Sequence, residues 1–293
     1  MARERLDSVS WDVCRGRTLG PAPFFVVGIL NVTPDSFYDG GLATEVDVGV
    51  TKGLDLLDQG ADILDIGGES TRPFAEPVPA ELELERVLPV VRGILRARPQ
   101  AVLSVDTSKA SVARACLESG AVIVNDVSAM SADPELPDVL REFQPGYVLM
   151  HSAGDPRTMQ IEPRYEDVLN ELRHFFATKL DSLIRAGVSE SSIVLDPGIG
   201  FGKSLRHNLE ILKNIDILFE FGRPVYMGLS NKSLWKGLLG REGRERNAPT
   251  LAASVVLYGK GVRIHRVHEV REIHDALMVA HMLGTGAEGE SLC

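Results

Sequence analysis

The stretch "FFVVGILNVTPDSFYDGG", residues 24–41, is an apolar run that changes abruptly into polar residues and glycine. Its first part, residues 24–30, has the length and the β-branched content of a buried strand. A connection from a strand to a helix usually takes about 2 to 6 residues, but helical spacing resumes here only near Thr44. This long polar connection is therefore either a solvated loop or part of an active site.

The same kind of apolar run recurs along the whole chain and alternates with segments of helical spacing. Because these runs are continuously apolar, they are typical of a parallel sheet that is buried on both faces. Eight strand and helix units in one chain predict an α/β fold, a single (β/α)8 TIM barrel, with a doubly wound open sheet as the alternative. The eight predicted strands are residues 24–30, 61–67, 101–106, 121–126, 146–151, 192–196, 224–230 and 262–268.

The chain divides into one large domain with short additions at its ends. Residues 1–20 form an N-terminal extension in which the segment "WDVCRGRTLGP", residues 11–21, predicts a hairpin over the barrel floor. Residues 21–285 form the barrel and residues 286–293 form a C-terminal tail. A barrel of this type routinely uses roughly 250 residues as one domain, so the length of 293 residues needs no second domain.

Composition and charge exclude several classes of partner. Lys and Arg total 31 against 41 Asp and Glu, a net charge of −10, which argues against nucleic acid or an anionic membrane as the main partner. Cys14, Cys116 and Cys293 are widely spaced and match no metal motif, which is typical of reduced thiols. The N-terminus lacks the apolar run of a signal peptide. We therefore expect a cytoplasmic protein.

Polar residues follow almost every predicted strand, which is where a barrel of this type carries its active site. At the end of the barrel where the strands finish, here called the mouth, several acids and amides would be costly to bury unless they bound a polar ligand or one another. A flat heterocycle with alternating donors and acceptors would satisfy such a set. These residues are Asn31, the segment "GGESTRP" (67–73), Asp106, Thr107, Asn125, Asp126, His151, Asp196, "SNKS" (230–233), Arg266 and His268.

Two of these assignments have simpler alternatives. Asp106 and Asp126 could instead cap the helices that follow them, since "DTS" and "NDVS" suit caps.

The segment "LDPGIGFGKS", residues 195–204, resembles a nucleotide-binding loop but does not match one. The Walker phosphate loop needs glycine where Pro197 stands, and the spacing of the glycines does not fit G-x-G-x-x-G. We expect a tight turn there that holds Asp196 at the mouth, with Lys203 in a structural role.

The last strand carries a possible phosphate site. Arg266 and His268 alternate along it and so share a face, whereas His265 points the other way. Together with Asn31 and a metal ion, these two residues could hold a phosphate-bearing group.

With these motifs in place, the chain closely resembles the dihydropteroate synthases of the folate pathway, which are (β/α)8 barrels. The resemblance covers nearly the whole chain, and the motifs stand in the family's order, each at a strand end. They are "GILNVTPDSFYDGG", "DIGGESTRP", "SVDTSKA", "VNDVSA", "MH" followed by "DPRTMQ", "LDPGIGFGK" and "RVH".

The resemblance implies a reaction and its participants. Family members join 6-hydroxymethyl-7,8-dihydropterin pyrophosphate to p-aminobenzoate, releasing pyrophosphate and forming 7,8-dihydropteroate. They use Mg2+ and commonly dimerise, often through the last helices. The apolar segment "ALMVAHML", residues 276–283, is consistent with a homodimer, but such a helix could equally pack on its own barrel.

The resemblance also implies a role for each matching residue. The pterin ring would be bound by Asp106, Asn125, Asp196, Lys232 and Arg266. The pyrophosphate would lie near Asn31, Arg266 and His268, with Asn31 as the Mg2+ ligand. The p-aminobenzoate site would be formed by Phe37, Thr71, Arg72, Pro73 and Ser233.

The residue types fit the chemistry of this reaction. Pyrophosphate leaves readily once positive groups neutralise its charge, and its departure leaves a cationic methylene conjugated with the pterin ring. Asp39 and Asp35 would stabilise this cation, beside Lys232, before the aniline nitrogen attacks. Closure of the first two loops would exclude water. The polar stretch at residues 31–41 is thus interpreted as a lid that carries the metal ligand and these carboxylates.

The chain departs from the family pattern at several positions. The usual Ser-Arg-Lys-Ser reads Ser230-Asn231-Lys232-Ser233, so a charged contact is lost unless Lys236 or Arg241 replaces it. Phe74 replaces the glycine that usually follows "STRP" and could narrow the p-aminobenzoate site, while Tyr38 and Glu269 replace a serine and an aspartate.

Three alternatives to a synthase remain. A pterin-dependent methyltransferase shares the barrel but should lack the first loop and the Lys-Ser pair. A non-catalytic pterin-binding protein would bind pterin without turnover, and Asn231 is its main support. An aldolase that uses Lys232 as a Schiff base is disfavoured, because no feature of the sequence would lower the pKa of that lysine.

Overall fold

Eight parallel strands form a closed barrel in the computed structural model, which describes residues 8–33, 42–70, 77–152 and 163–284. The strands are β3 (Phe25–Asn31), β4 (Ile63–Gly67), β5 (Leu103–Asp106), β6 (Ile123–Asp126), β7 (Gly146–Met150), β8 (Ile193–Asp196), β9 (Tyr226–Gly228) and β10 (Ile264–Val267). They pair in the order β8-β7-β6-β5-β4-β3-β10-β9, and a parallel bridge between Leu195 and Val225 joins β8 to β9. This bridge closes the sheet, so the barrel is confirmed and the open sheet is excluded.

Helices surround the barrel and pack one apolar face against it. In helix α2, Ala80–Ala97, the buried residues Val87, Val90, Val91 and Ile94 recur at the spacing of a single helical face. Short 3-10 turns lie at Cys14–Gly16, Glu190–Ser192, Ile215–Phe221 and Gly243–Arg246. The helices are α1 (Leu42–Asp58), α2 (Ala80–Ala97), α3 (Ala110–Glu118), α4 (Leu136–Phe143), α5 (Val168–Arg185), α6 (Leu205–Lys213), α7 (Leu234–Leu239), α8 (Asn247–Lys260) and α9 (Val270–Gly284).

The predicted N-terminal hairpin is present and consists of β1 (Val9–Val13) and β2 (Arg17–Ala22). Trp11 is fully buried, and its indole nitrogen donates to the carbonyl of Ser192 at 2.7 Å, just before β8 begins. The same indole lies against Gly146, the first residue of β7. The hairpin therefore covers the end of the barrel where the strands start.

The opposite end, where the strands finish, carries the polar residues. Nearer the starts of the strands, Val27 and Val194 share the inner face with Asn31 and Asp196 and are fully buried. Asp106, Asn125, Asp126 and Asp196 stand at the last or penultimate position of their strands, where the neighbouring strands are in register. The parallel arrangement thus brings them to one mouth.

Two further observations bear on the chemistry of the chain. Cys14 and Cys116 are both buried and carry no disulfide. Within the described ranges, no helix combines the length and the apolar composition that crossing a membrane requires.

Candidate active site

Arg266 lies at the centre of the polar mouth and forms two buried ion pairs. Its Nε donates to Asp65 Oδ2 at 2.6 Å, and its Nη2 donates to Asp106 Oδ2 at 2.7 Å. These contacts join β10 to β4 and β5 across the barrel. Because a guanidinium cannot lose its proton in proteins, Arg266 supplies a fixed positive charge between two acids.

Asp65 is a central residue of this site that the sequence analysis missed. Its side chain is completely buried in β4; Oδ1 accepts from Ser104 Oγ at 2.6 Å and Oδ2 accepts from Asn125 Nδ2 at 2.8 Å. Asp65 therefore orients both Arg266 and Asn125. One signal was available, because an acid inside the apolar run "ADILDIG" requires a buried partner.

Burial raises the pKa of the Asp106 carboxyl to about 7, although Arg266 opposes this shift. The nearby carboxylate of Asp65 raises this pKa further. Asp106 thus changes protonation state close to neutral pH. The alternative that Asp106 caps the next helix is wrong, because its carboxylate binds Arg266, and the residue before α3 is Lys109.

Asp196 is held at the mouth by the glycine-rich turn that follows it, as predicted. Its Oδ1 accepts from the backbone nitrogen of Gly198 at 2.7 Å. Gly198 has a φ of +64°, and a Cβ there would lie 1.9 Å from the carbonyl oxygen of His151, so only glycine fits. Burial raises the pKa of Asp196, while the hydrogen bond from Gly198 and the charge of Lys232 lower it.

Lys203 stabilises this turn from below. Its Nζ donates to the carbonyl oxygens of His151, Gly198 and Phe201 at 3.0–3.1 Å, and its side chain is buried. This confirms the structural role predicted for Lys203.

Lys232 lies beside Asp196, with its Nζ 4.0 Å from the centre of the Phe201 ring. Burial lowers the pKa of the Lys232 ammonium to about 8, although the Asp196 carboxylate raises it, and the charge of Arg266 lowers it further. The expectation that nothing would lower the pKa of this lysine is therefore wrong. At neutral pH most of the side chain is still protonated and can donate hydrogen bonds.

His268 joins the end of β10 to the segment after β9. Its Nδ1 lies 2.9 Å from Ser230 Oγ, and its backbone nitrogen donates to the same oxygen at 3.3 Å. His265, the second residue of β10, is buried, and its Nε2 lies 3.3 Å from the carbonyl oxygen of Val262. Arg266 and His268 thus contact the mouth, whereas His265 does not.

Asn231 and Ser233 are exposed on either side of Lys232. Asn231 adopts a φ of +59°, and its carbonyl oxygen accepts from Arg246 Nη1 at 2.9 Å. The two predicted replacements for the missing arginine have other partners: Lys236 pairs with Glu242 at 2.6 Å, and Arg241 pairs with Glu245 at 3.6 Å. Among the described side chains, it is Arg246 that contacts Asn231.

Asn31, the last residue of β3, faces the same space as Asp106. A Cβ built on Gly67 would lie 3.7 Å from Asn31 Oδ1 and 3.7 Å from Asp106 Oδ2. The missing side chain at Gly67 therefore leaves space for a ligand above β4, beside Asn31 Oδ1 and beside the Asp106 oxygen that accepts from Arg266.

Asp126 has a different role from the ligand contact or helix cap that its position suggested. Its carboxylate accepts from the backbone nitrogens of Ser128 and Met130 at 2.8 and 2.6 Å, and from the Tyr147 hydroxyl at 2.9 Å. Helix α4 begins ten residues later, at Leu136. Asp126 therefore stabilises a turn of the loop and not a helix.

A second charged cluster lies behind the mouth and was also missed. Lys109 Nζ contacts both Glu69 Oε2 and Glu83 Oε2, and Glu83 is completely buried in the first turn of α2. Glu69 Oε1 also accepts from the backbone nitrogen of Val78 at 3.3 Å. The cluster ties the segment after β4 to α2 and to the loop before α3.

Several predicted site residues belong to parts of the chain outside the described ranges. They are Asp35, Phe37 and Asp39 in the first loop and Thr71, Arg72 and Pro73 in the second, together with the departures Tyr38 and Phe74. Their assignments stay predictions.

The described residues define a class of protein. A closed barrel whose mouth combines three carboxylates, an amide and a lysine, arranged around a fixed guanidinium, is an enzyme scaffold suited to a polar, planar ligand.

Comparisons with known proteins extend this conclusion. Residues 27–268 match the family described as pterin binding enzyme. Dihydropteroate synthase of Escherichia coli K12 is 40% identical over 265 residues, covering 90% of this chain and 93% of the relative. Two solved structures of the Xanthomonas albilineans dihydropteroate synthase are also similar. The complex with 4-aminobenzoic acid has a TM-score of 0.87 at 40% identity, covering 95% of this chain and 100% of the other. The complex with 7,8-dihydropteroate has a TM-score of 0.84 at 38% identity, covering 94% and 99%. The chain belongs to the pterin-binding enzyme family, among the dihydropteroate synthases.

Proposed function

We propose that the chain condenses 6-hydroxymethyl-7,8-dihydropterin pyrophosphate with p-aminobenzoate to give 7,8-dihydropteroate and pyrophosphate. The observation that carries the proposal is the buried set Asp65, Arg266, Asp106 and Asn125 at the mouth, with Asp196 and Lys232 beside it. Carboxylates accept from ring N–H and amine groups, and the lysine donates to a carbonyl or ring nitrogen. These groups match the edge of a pterin.

The described residues would act by binding and orientation. Asp106, Asn125, Asp196 and Lys232 hold the ring, and Arg266 and His268 face the pyrophosphate. Arg266 already contacts Asp106, so it places positive charge beside the bound ring. Phe37, Thr71, Arg72 and Pro73 with Ser233 would bind p-aminobenzoate, and Asp35 and Asp39 would stabilise the pterin cation. Loss of pyrophosphate then lets the aniline nitrogen attack, and this route needs no covalent enzyme intermediate.

Mg2+ is proposed as the metal that accompanies the pyrophosphate. The Oδ1 atom of Asn31 is a hard oxygen donor that opens onto the mouth beside Asp106. Mg2+ is commonly bound through few protein oxygens together with substrate phosphates, so this donor fits. The ion would neutralise charge on the leaving pyrophosphate.

The reaction is tested by following pyrophosphate and dihydropteroate with the purified protein, both substrates and Mg2+. We expect dihydropteroate to form in proportion to pyrophosphate, and EDTA in excess over Mg2+ to stop turnover. If the protein binds the pterin but forms no dihydropteroate, the chain is a non-catalytic pterin-binding protein or a synthase with a different second substrate.

Pterin binding should depend on pH with an optimum between about pH 7 and pH 8. Below about pH 7 Asp106, whose pKa is raised by burial, gains a proton and becomes a weaker acceptor for the ring. Above about pH 8 Lys232, whose pKa is lowered by burial, loses a proton and becomes a weaker donor. Calorimetric titration of 6-hydroxymethyl-7,8-dihydropterin from pH 5.5 to 9.5 measures both limbs, which belong to the coupled groups together.

The Lys232→Arg variant is the matched control for the alkaline limb, because an arginine keeps its charge throughout this range. It should move that limb upward and leave the acid limb in place. A wild-type affinity that stays constant from pH 6 to pH 9 would contradict the proposed roles of both residues.

A homodimer is proposed from the surface of the last two helices. Val256 on α8 is 58% exposed, and Val279 and Leu283 on α9 are 57% and 82% exposed. Because α8 and α9 pack against each other, these apolar side chains lie on neighbouring helices, where a second copy could cover them. Light scattering should give twice the mass of the chain, and Val279→Glu should give a monomer.

Reduced Cys14 and Cys116 support a cytoplasmic location.

A further inference from the structure

Tyr226, the first residue of β9, carries a buried hydroxyl that has no hydrogen-bond partner among the described residues. The side chain is only 1% exposed. A buried polar atom in a folded protein is normally paired with the protein, with water or with a ligand. The hydroxyl of Tyr226 therefore requires an explanation.

The register of the barrel places Tyr226 beneath the pterin site. The bridge between Leu195 and Val225 sets Tyr226 beside Asp196, one residue further along both strands. Tyr226 also shares a face of β9 with Gly228, which is paired with Arg266 of β10. Its side chain is thus on the inner face, between the strands that carry Asp196 and Arg266.

The space above Tyr226 is open. A Cβ built on Gly228, the next inward-facing position towards the mouth, would meet no atom within 4 Å. The phenol ring therefore closes the bottom of a space whose upper wall is formed by the groups proposed to bind the pterin.

The charged groups around Tyr226 also place its side chain next to the proposed pterin site. Tyr226 interacts with Asp65, Arg266, Asp196 and Asp106. Burial raises the pKa of Tyr226 well above its usual value, and the carboxylate of Asp65 raises it further, so the hydroxyl keeps its proton. Like the Asn125 amide, a phenol can both donate and accept, whereas ionised carboxylates only accept and the two cations only donate.

We propose that the Tyr226 hydroxyl is a further binding contact of the pterin, at the deep end of its pocket. The bound heterocycle supplies the hydrogen-bond partner that the hydroxyl does not find among the described residues. This inference rests on the proposed function and adds to it a residue that determines affinity for the ring and not for the second substrate.

Tyr147 is a matched control within the same barrel. It is also a completely buried tyrosine on a strand, but its hydroxyl is already paired, because it donates to Asp126 Oδ2 at 2.9 Å. The two Tyr→Phe variants therefore compare a buried hydroxyl that has no partner within the described ranges with a buried hydroxyl that is hydrogen-bonded.

The experiment measures the affinity for 6-hydroxymethyl-7,8-dihydropterin by calorimetry and the melting temperature of wild type, Tyr226→Phe and Tyr147→Phe. Tyr226→Phe should weaken pterin binding about tenfold, the value of one hydrogen bond, with an unchanged melting temperature and an unchanged KM for p-aminobenzoate. Tyr147→Phe should lower the melting temperature and leave pterin affinity unchanged.

The two hypotheses fail in different ways. If the wild type does not bind the pterin, the proposed function is wrong and this inference fails with it. If the wild type binds the pterin and Tyr226→Phe binds it within twofold of wild type, only the inference is overturned. A loss of melting temperature in Tyr226→Phe as large as that in Tyr147→Phe also overturns it, because the hydroxyl would then have a structural partner.

Discussion

Replacing Asp196 by alanine should weaken the binding of 6-hydroxymethyl-7,8-dihydropterin at least about 100-fold and lower turnover by roughly 1,000-fold. Each hydrogen bond to an ionised group contributes about 1.5–3 kcal/mol, so the loss of two such bonds corresponds to roughly 100-fold to 10,000-fold. The fold should survive, because the carboxylate of Asp196 makes one structural contact, to the backbone nitrogen of Gly198. Calorimetry and the dihydropteroate assay measure the two effects.

Asp167→Ala provides the control for this change. Asp167 caps α5 by accepting from the backbone nitrogens of Leu169 and Asn170, so its loss should cost about 1 kcal/mol of stability and leave pterin affinity unchanged. If Asp196→Ala bound the pterin as tightly as wild type, the assignment of the pocket would be wrong.

Replacing Arg266 by methionine should produce the largest loss of stability among the site variants. The substitution leaves Asp65 completely buried without its positive partner, and breaking a buried ion pair in this way costs about 3–5 kcal/mol. At about 2–4 °C per kcal/mol for a chain of this size, the melting temperature should fall by roughly 10 °C. Turnover should be lost as well, since Arg266 faces both the ring and the pyrophosphate.

A double substitution separates stability from function. Adding Asp65→Asn to Arg266→Met removes the unpaired charge of the completely buried Asp65 but keeps an amide that accepts from Ser104 or Asn125. The double variant should regain most of the lost melting temperature and should still produce no dihydropteroate. If the fall in melting temperature of the double variant equalled the sum of the falls in the two single variants, Asp65 and Arg266 would not be energetically coupled.

The sequence predicted the barrel well because its strands are buried on both faces. Such strands read as short apolar runs whose ends are marked by polar residues, so the eight runs and the order of the site residues were recognisable without any knowledge of pairing. The hairpin was also recognisable, although its second strand extends to Ala22.

The partners of the site residues could not be predicted in the same way. Asp65 and Arg266 are 201 positions apart, and no local pattern connects them; Asp65 stood out only as one acid in an apolar run. The lowered pKa of Lys232 depends on burial beside Arg266, which only the tertiary structure determines. Asp126 was misinterpreted as a cap because a turn and a helix start use the same acceptor chemistry.

The hairpin over the barrel floor has a consequence for the order in which the chain assembles during its synthesis. The hydrogen bond from Trp11 to Ser192 spans 181 positions, so residues made among the first find their place only after about two thirds of the polypeptide has left the ribosome. The pairing of β3 with β10 waits still longer, until Val267 is available to Gly28. Contacts of such long range make folding slow. Although β1 can pair with β2 and β3 with β4 early, the edge of β3 that pairs with β10 must remain unpaired while the last strand is still being translated.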